Sequence, residues 1–339
     1  MTRSINIIQQ PDCYRTYNKK THIERAGLYS PASGEIHNII DKEMSGGALS
    51  PDGNRVATVN TEGTVFLWNV KDGRLIRSLA GDSRPLWSAG WSHDGNTVAF
   101  GTEGAPKGLS NVMFPLRRSF RIDTLELTDG APDGCRRTQI VQNMLRLSQV
   151  NDTTVVVKDA QEVVHRLAVK SLGTGDDTIR SFSFLGGKHA VIGNNNGQLS
   201  LFSLQTGHLQ REFQGHVGEV WAIAPSPDGH YVLSASNDHT LRIWQPDQDE
   251  PLLSLFFARD DWIAWTPEGY YAASPGGERL MGWQVNNGVD KMATFHAAAQ
   301  FRKSFYRPDV IKLLLKTGSV EKALARMARL SASCISEAP

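Results

Sequence analysis

Cysteine is scarce in this sequence and scattered: Cys13, Cys135 and Cys334 are the three, with no CxxC pair and no histidine at ligand spacing. A disulfide framework and a zinc site are therefore not indicated, and a reducing interior is the expected setting. Charge of one sign is also missing. Lysine and arginine total 36 against 35 acids, so no global field draws the chain to a polyanion or a membrane surface, and nothing calls for nucleic acid. No apolar run is long enough for a membrane span, and the amino terminus meets Gln9-Gln10-Pro11 before a signal peptide can form. A soluble, cytoplasmic protein is expected. Paired carboxylates, metal-spaced histidines and a phosphate-cradling glycine loop are absent as neighbours, so the sequence is read as non-enzymatic, with no cofactor and no metal.

Glycine and proline, by contrast, are plentiful, at 31 and 15, which suits short strands separated by tight turns. The chain of 339 residues exceeds one ordinary compact core, so it is either two domains or one repeat architecture. A repeat is present. The turn Ser50-Pro51-Asp52-Gly53 returns as Ser92-His93-Asp94-Gly95, Ser226-Pro227-Asp228-Gly229 and Thr266-Pro267-Glu268-Gly269, with weaker copies at Gln10 to Cys13, Asn151-Asp152 and Gly186-Gly187. Counted between their last residues, the steps are about 40, 42, 57, 35, 42 and 40, close to the 40–45-residue period of a β-propeller with four strands per blade. Seven turns predict seven blades over residues 1–297. The long step marks an insertion at about 102–120, and residues 298–339 form a linker and a helical tail.

Some fifteen residues beyond each turn stand strand-like runs: Phe66-Leu67-Trp68, Leu199 to Phe202, Leu241 to Trp244 and Met281-Gly282-Trp283. Trp87 and Trp221 sit equally far before their turn glycines, as do Trp91 and Trp265. Packing between blades is the first reading of these rings, and anchoring a partner at the channel mouth the second.

These residues resemble the WD-repeat family, and the fullest copy runs from Gly215-His216 to Trp244. The resemblance implies that His216, Ser236, Asp238 and Trp244 form that family's structural hydrogen-bond tetrad, which rigidifies a blade rather than performing catalysis. The family's closing Trp-Asp is replaced by Trp68-Asn69, Trp244-Gln245 and Trp283-Gln284. From about 260 to 315, Asp260 to Tyr271, Ser274-Pro275-Gly276-Gly277-Glu278-Arg279 and Phe305-Tyr306-Arg307-Pro308-Asp309-Val310 look like the last blade and exit linker of bacterial WD-repeat proteins. Many of those carry a caspase-like peptidase. About thirty residues follow the linker here, too few for such a domain, and Cys334 lacks the surroundings of a nucleophile.

Partner-binding candidates are the basic, aromatic insertion (Phe114, Arg117, Arg118, Phe120, Arg121), weighed against a solvated loop, and the tail. In the tail, Val310, Leu314, Val320 and Leu324 recur at helical spacing, either docking on the propeller or offering a partner helix. The function expected is a protein-interaction scaffold. The alternatives are a regulatory arm of a caspase-like peptidase on a separate chain and a small-ligand-binding or enzymatic propeller.

Overall fold

The computed structural model describes residues 13–18, 23–29, 36–40, 44–49, 54–60, 65–79, 83–102, 114–170, 178–285 and 294–336. Two compact units divide at Arg84/Pro85.

The first unit holds a three-stranded antiparallel sheet, β1 (Cys13–Asn18), β2 (Ile23–Tyr29) and β3 (Ile36–Ile40). Beside it in sequence is a four-stranded meander, β4 (Met44–Leu49), β5 (Arg55–Asn60), β6 (Val65–Asn69) and β7 (Leu75–Leu79). Trp68 Nε1 donates to Thr58 Oγ1 at 2.8 Å. The turns at Ser50–Gly53 and Gln10–Asp12 lie outside the described residues.

The second unit repeats the meander. Its sheets are β8 (Ser88–Trp91), β9 (Thr97–Gly101), β10 (Arg118–Arg121) and β11 (Glu126–Asp129); β12 (Val141–Gln142), β13 (Leu145–Asn151), β14 (Thr154–Asp159) and β15 (Glu162–Ala168); and β16 (Ile179–Leu185), β17 (His189–Asn194), β18 (Leu199–Ser203) and β19 (Leu209–Phe213). The last is six-stranded, β20 (Val220–Pro225), β21 (Val232–Ser236), β22 (Thr240–Trp244), β23 (Leu253–Ala258), β24 (Asp261–Trp265) and β25 (Tyr271–Ala273), followed by the pair β26 (Gly282–Val285) and β27 (Thr294–Ala297). Helices α1 (Arg302–Phe305), α2 (Pro308–Thr317) and α3 (Val320–Ser336) close the chain.

Local chemistry explains the β8–β9 and β20–β21 turns. Ser92 Oγ and Ser226 Oγ each donate to the aspartate two residues on, and each accepts a backbone N–H five residues on, from Thr97 at 3.0 Å and Tyr231 at 2.9 Å. The glycine closing each turn has a positive φ, 71° at Gly95 and 74° at Gly229, which an L side chain resists. Gly229 also lies against Gly186 of the neighbouring sheet, where an added Cβ would stand 2.7 Å from the Gly186 Cα.

Hydrogen bonds join the inner segments of the four sheets in a circuit. Trp91 and Arg136 exchange backbone bonds of 2.8 and 2.7 Å. Phe184 N bonds Gln139 O, and Ser181 Oγ bonds Val220 O. The fourth sheet returns to the first through Leu86 N to Ser236 O at 3.1 Å and Trp91 Nε1 to Ala224 O at 3.2 Å. Sheets β8–β11 and β20–β25 are thus in direct contact, and the expected count of seven blades is not confirmed. The insertion is also shorter than expected: Arg118–Arg121 is a strand, paired with β9 and β11.

The largest core lies between β8–β10 and β20–β25, with Trp91, Phe100, Phe120, Leu233 and Leu255 fully buried. Helices α2 and α3 complete it. Pro308 starts α2, which a missing N–H and a preset φ favour, and Gly318 ends it in the left-handed conformation (φ 71°), its N–H bonded to Leu314 O.

Candidate functional site

Two side-chain groupings stand out, one rigid and buried, the other half-exposed. The first joins the loop before β20 to β21 and β22. The sequence supplies a histidine after Gly215, serines on β21 and a tryptophan ending β22, and antiparallel pairing of β21 with β22 brings them together. His216 Nδ1 lies 2.8 Å from Asp238 Oδ2, His216 Nε2 lies 2.7 Å from Ser234 Oγ, and Trp244 Nε1 donates to the same Ser234 Oγ at 2.7 Å.

Burial pushes the His216 pKa down, more strongly than the Asp238 hydrogen bond raises it. In the neutral tautomer that follows, Trp244 N–H donates to Ser234, Ser234 O–H to His216 Nε2, and His216 Nδ1–H to Asp238. Burial alone would raise the pKa of Asp238. The His216 and Thr240 hydrogen bonds and the Arg242 guanidinium outweigh it and hold the carboxyl well below the usual range.

The expected serine is therefore corrected. Ser236 is fully buried but bonds the Gly218 carbonyl and accepts from the Asp238 N–H, so it braces the adjoining loop. Ser234, two residues earlier on the same face of β21, joins histidine to tryptophan. Thr240, which sequence reading missed, bonds Asp238 Oδ1 at 2.6 Å. A serine, histidine and aspartate in line would serve nucleophilic catalysis if the serine faced a substrate, but here Ser234 is fully buried.

The second grouping lies at the start of the inner strands. β16 and β20 each carry a bulge between their first and third residues, at Arg180 and Trp221, and bulges re-aim side chains. Trp221 packs against Trp87, tilted by 38°, at a centroid distance of 4.4 Å, the Arg180 guanidinium lies 5.2 Å from the Trp221 ring, and Phe114 packs 5.9 Å from Trp87. Glu219 pairs with Arg180 at 3.2 Å. Both tryptophans are half-buried, and the Trp221 indole N–H has no acceptor among the described residues.

The other predicted contact residues are spoken for. Phe120 is fully buried against Trp262 and Phe257, and Phe114 is 5% exposed. Arg118 pairs with Asp129 and Asp260, and Arg121 with Asp94 and Asp123. Arg117 is exposed, its backbone N–H bonded to Phe100 O. These residues do not form a free basic grip, because acids from three other segments neutralise it. In the tail, Val310 and Leu314 are fully buried, Val320 is buried and Leu324 half-buried, all on the main core. Of the two readings of the tail face, the packing matches docking on the protein itself.

A cleft of about 450 Å³ lies between the turns at Gly186 and Gly229, lined by Lys188, His189, Asp228, His230 and Asp247. Among the described residues no group of three or more His, Cys, Asp or Glu is placed to hold a metal, and no helix is long and apolar enough to cross a membrane. The Cys135 thiol is pushed up by burial.

Residues 207–245, which hold the buried network, match the family model described as WD domain, G-beta repeat. The chain is also similar to several curated proteins. Apoptotic protease-activating factor 1 from Homo sapiens is 22% identical over 306 residues, 85% of this chain and 23% of that protein. Angio-associated migratory cell protein from Homo sapiens is 23% identical over 214 residues, 60% of this chain and 49% of its own. WD repeat and SOCS box-containing protein 1 from Danio rerio is 30% identical over 101 residues, 28% and 24% of the two chains. The chain thus spans between about a quarter and a half of the length of these relatives.

Proposed function

We propose that this protein is a non-catalytic protein-interaction scaffold, and that its contact surface is the inner-strand end where Trp87, Trp221 and Arg180 converge. The observation that carries the reading is the pair of bulges that turn Arg180 and Trp221 onto one half-exposed spot beside Trp87. Tryptophan and arginine are the side chains that most often dominate binding energy at protein interfaces. The rigid strands behind them hold the spot without an ordering cost on binding. WD-repeat relatives support the class of function.

The test is capture by tagged full-length protein, compared between wild type, Arg180→Ala and Trp221→Ala. Proteins retained by the wild type and lost from both variants, with melting temperatures of the variants close to wild type, support the surface. Identical capture by all three sinks it.

A second reading, the regulatory arm of a caspase-like peptidase on a separate chain, is favoured by one match: the relative named a protease-activating factor aligns with 85% of this chain. Recovery of a cysteine peptidase among the captured proteins, with its activity changed by added scaffold, would distinguish this reading from the general one.

A further inference from the structure

Arginines elsewhere in the second unit's strands are neutralised. Arg118 and Arg121 on β10, Arg180 on β16 and Arg211 on β19 each face a carboxylate. The sheet β12–β15 is different. One of its faces, with Leu147, Val155, Val157 and Leu167, is buried in the core shared with β16–β18. Register sets the other. Val141 stands opposite Arg146, Arg146 opposite Lys158, and Lys158 opposite Val163, one row across all four strands. Arg166, opposite Val156, adds a third cation in the neighbouring row, where Val156 itself is fully buried.

Residues directly opposed in antiparallel strands share a face, and like charges so opposed are unfavourable. Among the described residues, the side chains of Arg146, Lys158 and Arg166 make no ion pair or hydrogen bond. The sheet's own acids do not relieve them: Asp159 and Glu162 stand opposite Leu145 and each other, on the core-side rows. Arg146 and Arg166 are exposed, Lys158 is half-buried, and the flanking Val141 and Val163 are 50% and 43% exposed. The cations and the two exposed valines thus leave on this face a charge that no described acid neutralises.

We propose that this face docks an acidic, extended peptide segment, its carboxylates meeting Arg146, Lys158 and Arg166 and its aliphatic side chains covering Val141 and Val163. Charge complementarity and the apolar flanks select this partner. A single-stranded nucleic acid is disfavoured because the described residues of β12–β15 include no Phe, Tyr or Trp for base stacking. The inference extends the scaffold reading to a second surface and does not depend on Trp87 or Trp221.

The test uses full-length protein and a fluorescein-labelled synthetic peptide of alternating glutamate and valine, followed by fluorescence anisotropy. Binding is expected to weaken about tenfold or more in the double variant Lys158→Glu, Arg166→Glu. That variant is expected to bind the matching lysine–valine peptide instead, which an unfolded chain would not do selectively. Trp221→Ala is expected to leave both affinities unchanged, so failure here and failure of the mouth surface read separately. Equal affinity for the glutamate–valine peptide in wild type and double variant, no binding by wild type, or tighter binding of oligothymidylate than of the peptide overturns the proposal.

Discussion

At the scale of the residue, Ser234 is the hinge of the buried network: its oxygen accepts from the Trp244 N–H and its O–H donates to His216 Nε2. Ser234→Ala leaves an indole N–H and an imidazole nitrogen unpaired in a buried site, a cost on the order of 1–3 kcal/mol for each such group. Ser236→Ala strands one backbone carbonyl and one N–H at the loop, where the chain can relax. Thermal unfolding should therefore show a larger loss for Ser234→Ala, and equal losses would count against the assignment. His216 also sets a pH dependence. Burial depresses its pKa below the ordinary 6.5, so as pH falls the unfolded chain takes up the proton first. The stability from the neutral imidazole is complete above pH 6.5 and is lost as pH drops below it. Asp238, held low, acts in the same direction from 3.8 downward. His189, lowered by burial and by Lys188, adds to the His216 slope. The melting temperature is expected to fall between pH 7 and pH 5, and less steeply in His216→Asn. An unchanged slope would show that the imidazole is not held neutral.

At the scale of the element, the tail helix behaves as a part of the core. Val310, Ile311 and Leu314 are fully buried, and the Tyr231 hydroxyl bonds Leu315 O at 2.8 Å. Leu314→Ala should cost about 2–5 kcal/mol, as buried leucine truncations do, while the half-buried Leu324→Ala should cost less; chemical denaturation measures both. The β20–β21 turn makes its own prediction. At Gly229 a side chain meets a positive φ of 74° and the backbone of Gly186, so Gly229→Ala should destabilise by more than the 1–2 kcal/mol of the left-handed conformation alone. Gly73→Ala, with positive φ but open space around it, is the control. The amphipathic spacing of the tail is legible in the sequence because helical period and apolar stripe are both local properties. Which surface covers the stripe is not, since Tyr231 and Leu233 are some eighty residues away.

At the scale of the whole molecule, residues 85–339 form a compact unit with their own core. Expressed alone, this fragment is expected to unfold in one cooperative transition by tryptophan fluorescence and by circular dichroism; separated transitions would contradict a shared core. The intact chain is expected to show no turnover of peptide substrates cleaved after acidic or basic residues. The Cys135 thiol, raised by burial, is a poor nucleophile at neutral pH, and Ser234 is sealed from substrate. Turnover abolished by Cys334→Ala would overturn the non-catalytic reading.

The sequence by itself determined the meander, its turns and its period, because Ser-x-Asp-Gly closes through bonds made within five residues and strand alternation is read from neighbours. It also placed His216, Asp238 and Trp244 in one repeat. Tertiary structure alone decided the rest. Ser234 and Ser236 lie on one face of one strand, and only the height at which the His216 loop crosses β21 selects between them. Arg118 and Arg121 look free in sequence, yet Asp260 reaches Arg118 across 142 residues and Asp94 reaches Arg121 across 27. The spacing of turns counts repeats but carries no information on which sheet lies beside which. That β8 meets β20 follows from the packing of Trp91, Phe100 and Phe257 in one core, a choice made by shape and burial between segments that no local pattern connects.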